Sequence, residues 1–101
     1  MTFEELQAKV KTWSETRGIY QHSTANAQLL KAFSEMGELA DAEAKQRRNE
    51  QADAVGDVLV CLINYCHMKD LSIVGCLESA YEVIKDRKGK MVYGGVFVKE
   101  E

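Results

Sequence analysis

The chain has 101 residues, 46% of them hydrophobic and 29% charged, with 13 Lys and Arg against 16 Asp and Glu for a net charge of −3. That length supports a single domain over residues 1–101, and the apolar share excludes a chain disordered throughout. The mildly acidic balance lacks the broad basic field that binding a nucleic-acid polymer requires. The opening "MTFEELQAKV" carries acids where a secretory leader carries bases, and no window reaches the length of a membrane span, so a cytoplasmic protein without a membrane partner is expected. There is no proline and little β-branched alternation, which leaves a helical period as the main signal.

Four helices can be drawn in chain order. Thr2 with Glu5 three residues on has the capping-box spacing, and Phe3, Leu6, Val10 and Trp13 step by three and four until Gly18 ends the first helix. After the polar connection "GIYQHS", Ser23 or Thr24 caps a second helix running to about Lys45, with Leu29, Leu30, Phe33, Met36, Leu39 and Ala40 as its packing face. The run "KQRRNEQ" is an exposed turn in which Asn49 caps a third helix, roughly residues 50 to 68 and apolar on nearly every side. Asp70 or Ser72 opens a fourth, which carries Ile73, Leu77, Ala80, Tyr81 and Ile84 on one face and ends near Gly89 after a basic cluster. The tail "MVYGGVFV" suits a short extended segment or hairpin. Cys61, Cys66 and Cys76 sit in apolar helical runs without metal-ligand spacing, as buried, reduced thiols would.

Two acidic pairs interrupt this pattern. In "FSEMGELADA", Glu35 and Glu38 project within about 60° of one another, and Gln28 and Lys31 share their sector. In "DAVGDVLVCLINYC", Asp53 and Asp57 lie on one stripe with Glu50, and Asn64 follows one heptad after Asp57. An isolated acidic pair is most often a solvated helix face. Asp57 is different, because Val55, Val58, Leu59, Val60, Leu62 and Ile63 surround it and an unpartnered buried carboxylate costs several kcal/mol. Clustered carboxylate oxygens suit a hard divalent cation, Mg²⁺ or in its place Mn²⁺, which keeps waters and commonly also binds phosphates.

The segments "SEMGELADA" and "DAVGDVLVCLIN", in this order, resemble the all-α nucleoside triphosphate pyrophosphohydrolases of the MazG-like group. Their pattern is Glu-Glu-x-x-Glu followed, after a spacer, by Glu-x-x-Asp. The tail "RKGKMVYGGVFVKE" is similar to that of the short, often phage-encoded members. Glu35 and Glu38 match the second and third acids of the first motif, and Asp57 matches the aspartate of the second. Ser34 stands where the first acid is expected and Ala54 where the glutamate is, with Asp53 or Glu50 as geometric substitutes.

The resemblance implies a four-helix bundle of the MazG-like type with a short extended C-terminal tail, assembled as a homotetramer or homodimer. It also implies Mg²⁺-dependent hydrolysis of nucleoside triphosphates to the monophosphate and pyrophosphate. Glu35, Glu38, Asp53 and Asp57 would hold the metal, with Glu38 and Asp57 catalytic. Lys31, Asn64, Arg87 and Lys88 are candidate substrate contacts, each with a structural alternative: an ion pair for Lys31, a buried network for Asn64, helix-end cations for the other two. Trp13 suits either the core or stacking on a base. Two other functions fit the same residues, a phosphoribosyl-ATP pyrophosphohydrolase and a helical interaction module that has lost catalysis.

Overall fold

The computed structural model describes residues 1–100. Helix α1 spans Phe3–Thr16 and is capped as its sequence predicts, the Thr2 hydroxyl accepting from the Glu5 N–H at 3.1 Å. The chain then reverses through Gly18, whose φ of +79° favours glycine. Inside the expected polar connection it forms one further helical turn, α2, over Ile19–His22. Helix α3, Ala25–Ala44, starts at Thr24, whose hydroxyl accepts from the Ala27 N–H at 3.0 Å.

Helix α4 covers Arg48–Met68 and begins two residues before the expected 50; Asn49 therefore lies within its first turn and Arg47 takes the cap position without a side-chain bond. Helix α5, Ile73–Ile84, is capped by Ser72 through the Gly75 N–H at 3.1 Å and stops short of Gly89. The tail forms the hairpin, β1 Gly89–Val92 against β2 Val96–Lys99, antiparallel, with Met91 opposite Phe97. Gly94 and Gly95, at φ +95° and +78°, make its turn. Gly89 is required for closeness instead, since a Cβ there would collide with the Val98 carbonyl and the Phe97 ring.

Helices α3 and α4 form an antiparallel helical hairpin. Gln51 reaches Glu43 at 3.0 Å at one end, and Asn64 reaches Gln28 at 3.3 Å at the other. Ala32, Ala42 and Ala54 are buried, and their small side chains let the backbones approach. Helix α1 packs across α4 and against α2.

The expected packing face of α3 is corrected: Leu30, Phe33 and Met36 are 59%, 69% and 51% exposed, while Glu35 is 6% exposed. The helix turns Ala32, Glu35 and Ala42 inward and Leu30, Phe33 and Met36 outward, while Leu29 and Leu39 of the expected face are half-buried. Helix α4 is likewise not covered all round, since Val55 and Leu59 are exposed. Helix α5, bent 99° from α4, has no buried residue. Its anchor is the Cys66 thiol beside that of Cys76; burial, then this neighbour, pushes the Cys66 pKa up. Cys76 itself is exposed, against the expectation of three buried thiols. No single helix is long and apolar enough to cross a membrane.

Candidate active site

The α3–α4 hairpin carries the acids of both motifs on facing stripes. A groove of about 450 Å³ between the helices is lined by Ser34, Gly37, Glu38, Asp41, Glu50 and Asp53, with Ala54 at its floor. Glu38 and Asp53, from two helices, line this groove together, whereas Glu35 and Asp57 are not part of its lining. Glu35 lies beneath the surface at the helix contact, and Asp57 is half-buried.

Glu35 is the unusual group. Its Oε1 takes an ion pair from Lys31 at 3.3 Å, one turn earlier, but Lys31 is largely in solvent. Its Oε2 is buried with no hydrogen-bond partner. A buried carboxylate oxygen left without a donor costs about 1–3 kcal/mol or more. The Glu35 carboxyl, through proton sharing and then through its charge, raises Glu38 above its ordinary carboxylate value. Asp57 is also raised, first by loss of solvent and then by the charges of Asp53 and Glu35. Two carboxylates stay in such contact only with a proton or a cation between them.

Among the described residues, no three acidic, histidine or cysteine groups are already gathered around one point as a finished metal cage. The donor set is nevertheless all carboxylate oxygen, and the orphaned Glu35 Oε2 lacks the positive partner that a hard cation supplies. By that observation the residues fit a divalent ion. Asp41 completes the acidic lining, and sequence reasoning missed it. The signal was present, because Glu35, Glu38 and Asp41 form an uninterrupted series at steps of three. Asp41 is paired with Lys45 at 2.9 Å and Glu50 with Arg47 at 3.4 Å, which leaves Glu38 and Asp53 as the lining acids without a cation.

The remaining candidates are placed elsewhere. Asn64 is 1% exposed, its Oδ1 accepting from Ser14 Oγ at 2.7 Å and Tyr20 OH at 2.9 Å. Its Nδ2 donates to Gln28 Oε1, and Gln28 Nε2 donates onward to Ser23 at 3.1 Å. This is the buried network, tying α1, α2 and α3 to α4, and it leaves the amide no face toward the groove. Tyr20 also stacks on His67 with ring centroids 4.1 Å apart, and burial raises its phenol pKa.

Trp13 is 48% exposed, outside the core, with the Arg17 guanidinium 5.7 Å from its ring centroid. Its shallow pocket is shared with Ala8, Lys9 and Thr12, and no acid of the groove lines it. Arg87 and Lys88 line a separate cavity with Val83, Asp86, Lys99 and Glu100. Within one chain, neither Trp13 nor this basic pair lines the acidic groove.

No family model matches the chain. An uncharacterized 18.2 kDa protein of Haemophilus phage HP1, from its rep-hol intergenic region, is 31% identical over 60 residues. Those residues are 59% of this chain, which spans only 37% of that protein's length. Among solved structures, a cyanophage S-2L MazG-like pyrophosphohydrolase bound to dGDP and three catalytic Mn²⁺ ions per active site is similar over the whole of this chain and 95% of its own, with a TM-score of 0.76 at 18% identity. The chain therefore has the all-α MazG-like fold that its acidic motifs resemble.

Proposed function

We propose that the protein is a metal-dependent nucleoside triphosphate pyrophosphohydrolase, which cleaves the anhydride bond between the α- and β-phosphates to release a nucleoside monophosphate and pyrophosphate. The observation that carries this reading is the buried Glu35 carboxylate with an unpartnered oxygen, set beside Glu38 and near enough to Asp57 for its charge to raise that carboxyl. The shared fold with a protein that binds dGDP and Mn²⁺ supports it. Glu35, Glu38, Asp53 and Asp57 would hold the cation, Mg²⁺ in preference to Mn²⁺. When bound, such an ion polarises phosphate oxygens and lowers the pKa of a coordinated water.

The chain's own residues do the rest. Glu38 is exposed at the groove with its pKa raised, so its carboxylate can accept the proton of the attacking water. Asp53 with Glu38 forms the negative lining that selects a cation-bound phosphate chain over a free one, and Asp57, outside that lining, adds its charge beside Glu35. Lys31 sits at the rim, 62% exposed at its side chain, where it can offset phosphate charge once Glu35 has another partner. Asn64 serves as a positioning residue: its network holds α4 in register with α3, and so Asp57 against Glu35. We read the catalytic unit as one domain over residues 1–101, acting on cytoplasmic nucleotides as a homo-oligomer, a tetramer built from dimers.

Thermal unfolding with ligands tests the reading. Mg²⁺ with a nonhydrolysable triphosphate at about 100 times its Kd should stabilise the protein by about 2.7 kcal/mol, through binding to the native state alone. An interaction module whose acids meet a partner's basic surface would show no such shift.

A further inference from the structure

The chemistry of the groove makes no use of the elbow between α4 and α5, where two of the three cysteines meet. Cys66 stands in the last turn of α4, and Cys76 lies in the first turn of α5. Between them the chain bends through residues 69–72, with Asp70 at a φ of +55°. The Leu71 N–H donates to the Cys66 carbonyl at 2.8 Å, and the Cys76 N–H donates to the Ser72 carbonyl at 2.8 Å. Both cysteine backbones are thus tied into the turn, one at each end, and the two thiols lie side by side across the 99° bend.

Their surroundings differ. Cys66 is 8% exposed, while Cys76 is open to solvent. Burial pushes the Cys66 pKa up and the Cys76 neighbour adds to it, with the Lys11 ammonium of α1 opposing. A cleft of about 420 Å³ between α1 and α5, lined by Lys11, Ser72 and Gly75 among others, opens beside the elbow. A solvated thiol next to a shielded one is the arrangement in which the first meets a small oxidant and the second resolves the adduct. Packing as small apolar side chains accounts for Cys61 and Cys66, which are buried, but not for Cys76. Cys61 stands outside the pair: five residues before Cys66 on one helix, it points about 140° away and sits about 7.5 Å along the axis. Cysteines so placed cannot be bridged without unwinding the helix.

Independently of the groove's chemistry, we infer that Cys66 and Cys76 form a redox modification site, which closes to an intramolecular disulfide on meeting a small-molecule disulfide such as oxidised glutathione. The Cys76 thiolate attacks one sulfur of the small disulfide, breaking its S–S bond, forming a mixed disulfide and expelling one thiolate. Cys66 gives its proton to that thiolate, and its sulfur attacks Sγ of Cys76. The Cys66–Cys76 bond forms and the second thiolate leaves, taking up the proton that Cys76 had released. Two protein thiols are oxidised by two electrons and one small disulfide is reduced to two thiols. Helix α5 buries no residue of its own, so a bond at this point holds it where packing does not. The ring that closes is short, and it fixes the angle of the elbow.

Thiol counting on the full chain tests this. The native protein is equilibrated with oxidised glutathione, then denatured and labelled with a maleimide. Wild type should fall from three free thiols to one, with peptide mapping joining Cys66 to Cys76, and dithiothreitol should restore all three. Cys61→Ser should form the same bond, and Cys76→Ser should keep both of its thiols free. Amide hydrogen exchange in α5 should slow at least about 10-fold on oxidation, with α3 unchanged.

Three thiols still free, a glutathione adduct left on Cys76, a bond through Cys61, or two chains joined through Cys76 would each overturn the site. Unchanged exchange in α5 would overturn its action as a clamp. None of these readouts depends on nucleotide hydrolysis, so a failure of the thiol pair and a failure of the groove are distinguishable.

Discussion

Helices α3 and α5 each carry an amphipathic stripe in sequence, and in the structure they differ in what they bury, α3 packing against α4 in a hairpin and α5 standing out as an arm. The hairpin buries alanines, a glutamate and an asparagine, and turns Leu30, Phe33 and Met36 outward. The arm presents the apolar stripe of an ordinary packing helix, Leu77, Tyr81 and Ile84, and covers none of it. An amphipathic period states that a face will be covered; it does not state by which molecule. In the hairpin, the polar groups are inside because they are satisfied by one another or await a ligand.

Substitutions can sharpen this contrast. The largest effect on stability is expected at Asn64, where Asn64→Ala strands the Ser14, Tyr20 and Gln28 partners. It should cost about 2–4 kcal/mol in urea unfolding, and a loss below 0.5 kcal/mol would mean the network does not hold the hairpin. Next is Leu77→Ala. In an uncovered arm this change is nearly neutral, whereas beneath a second copy it removes buried methyl groups at about 2–3 kcal/mol, read as a concentration-dependent fall in midpoint. A midpoint independent of protein concentration would leave the arm uncovered.

Thr24→Ala should cost about 1 kcal/mol in urea unfolding by removing the hydroxyl that accepts from Ala27 N–H and caps α3; an unchanged midpoint would remove this cap from the account. The smallest effect is a pH dependence. Glu38 is raised above its unfolded value, so the stability it contributes is present when it is protonated and is lost as pH rises through the carboxylate range to its folded pKa. In metal-free protein, Glu38→Gln should therefore raise the melting temperature more at pH 8 than at pH 5. An equal shift at both would remove the repulsion with Glu35 from the account.

Much of the fold was legible because its signals are local. The Thr2, Thr24 and Ser72 caps, the Gly94–Gly95 turn and the four main helices follow from spacing and side-chain chemistry. Helix α2 was not, since a single turn has no period to detect. That Glu38 and Asp53 each stand on an acidic stripe was legible for the same local reason, since acids at steps of three and four aim one way; that the two line one groove follows from the α3–α4 hairpin. Burial was harder to read. The sequence makes Phe33 look like core and Glu35 like surface, and the structure reverses both, because Ala32, Ala42 and Ala54 decide how closely α3 and α4 approach. Trp13, Arg87 and Lys88 carry no local sign of their distance from the groove, which is a property of the chain's path.

The central claim is tested most directly by pyrophosphate release from ribo- and deoxyribonucleoside triphosphates and phosphoribosyl-ATP, with and without Mg²⁺ or Mn²⁺, for wild type and Asp57→Asn. The account predicts metal-dependent release from at least one triphosphate and a fall of about 100-fold or more in Asp57→Asn with unchanged helical circular dichroism. Release that persists in Asp57→Asn, or none from any nucleotide by a folded oligomer, would contradict it.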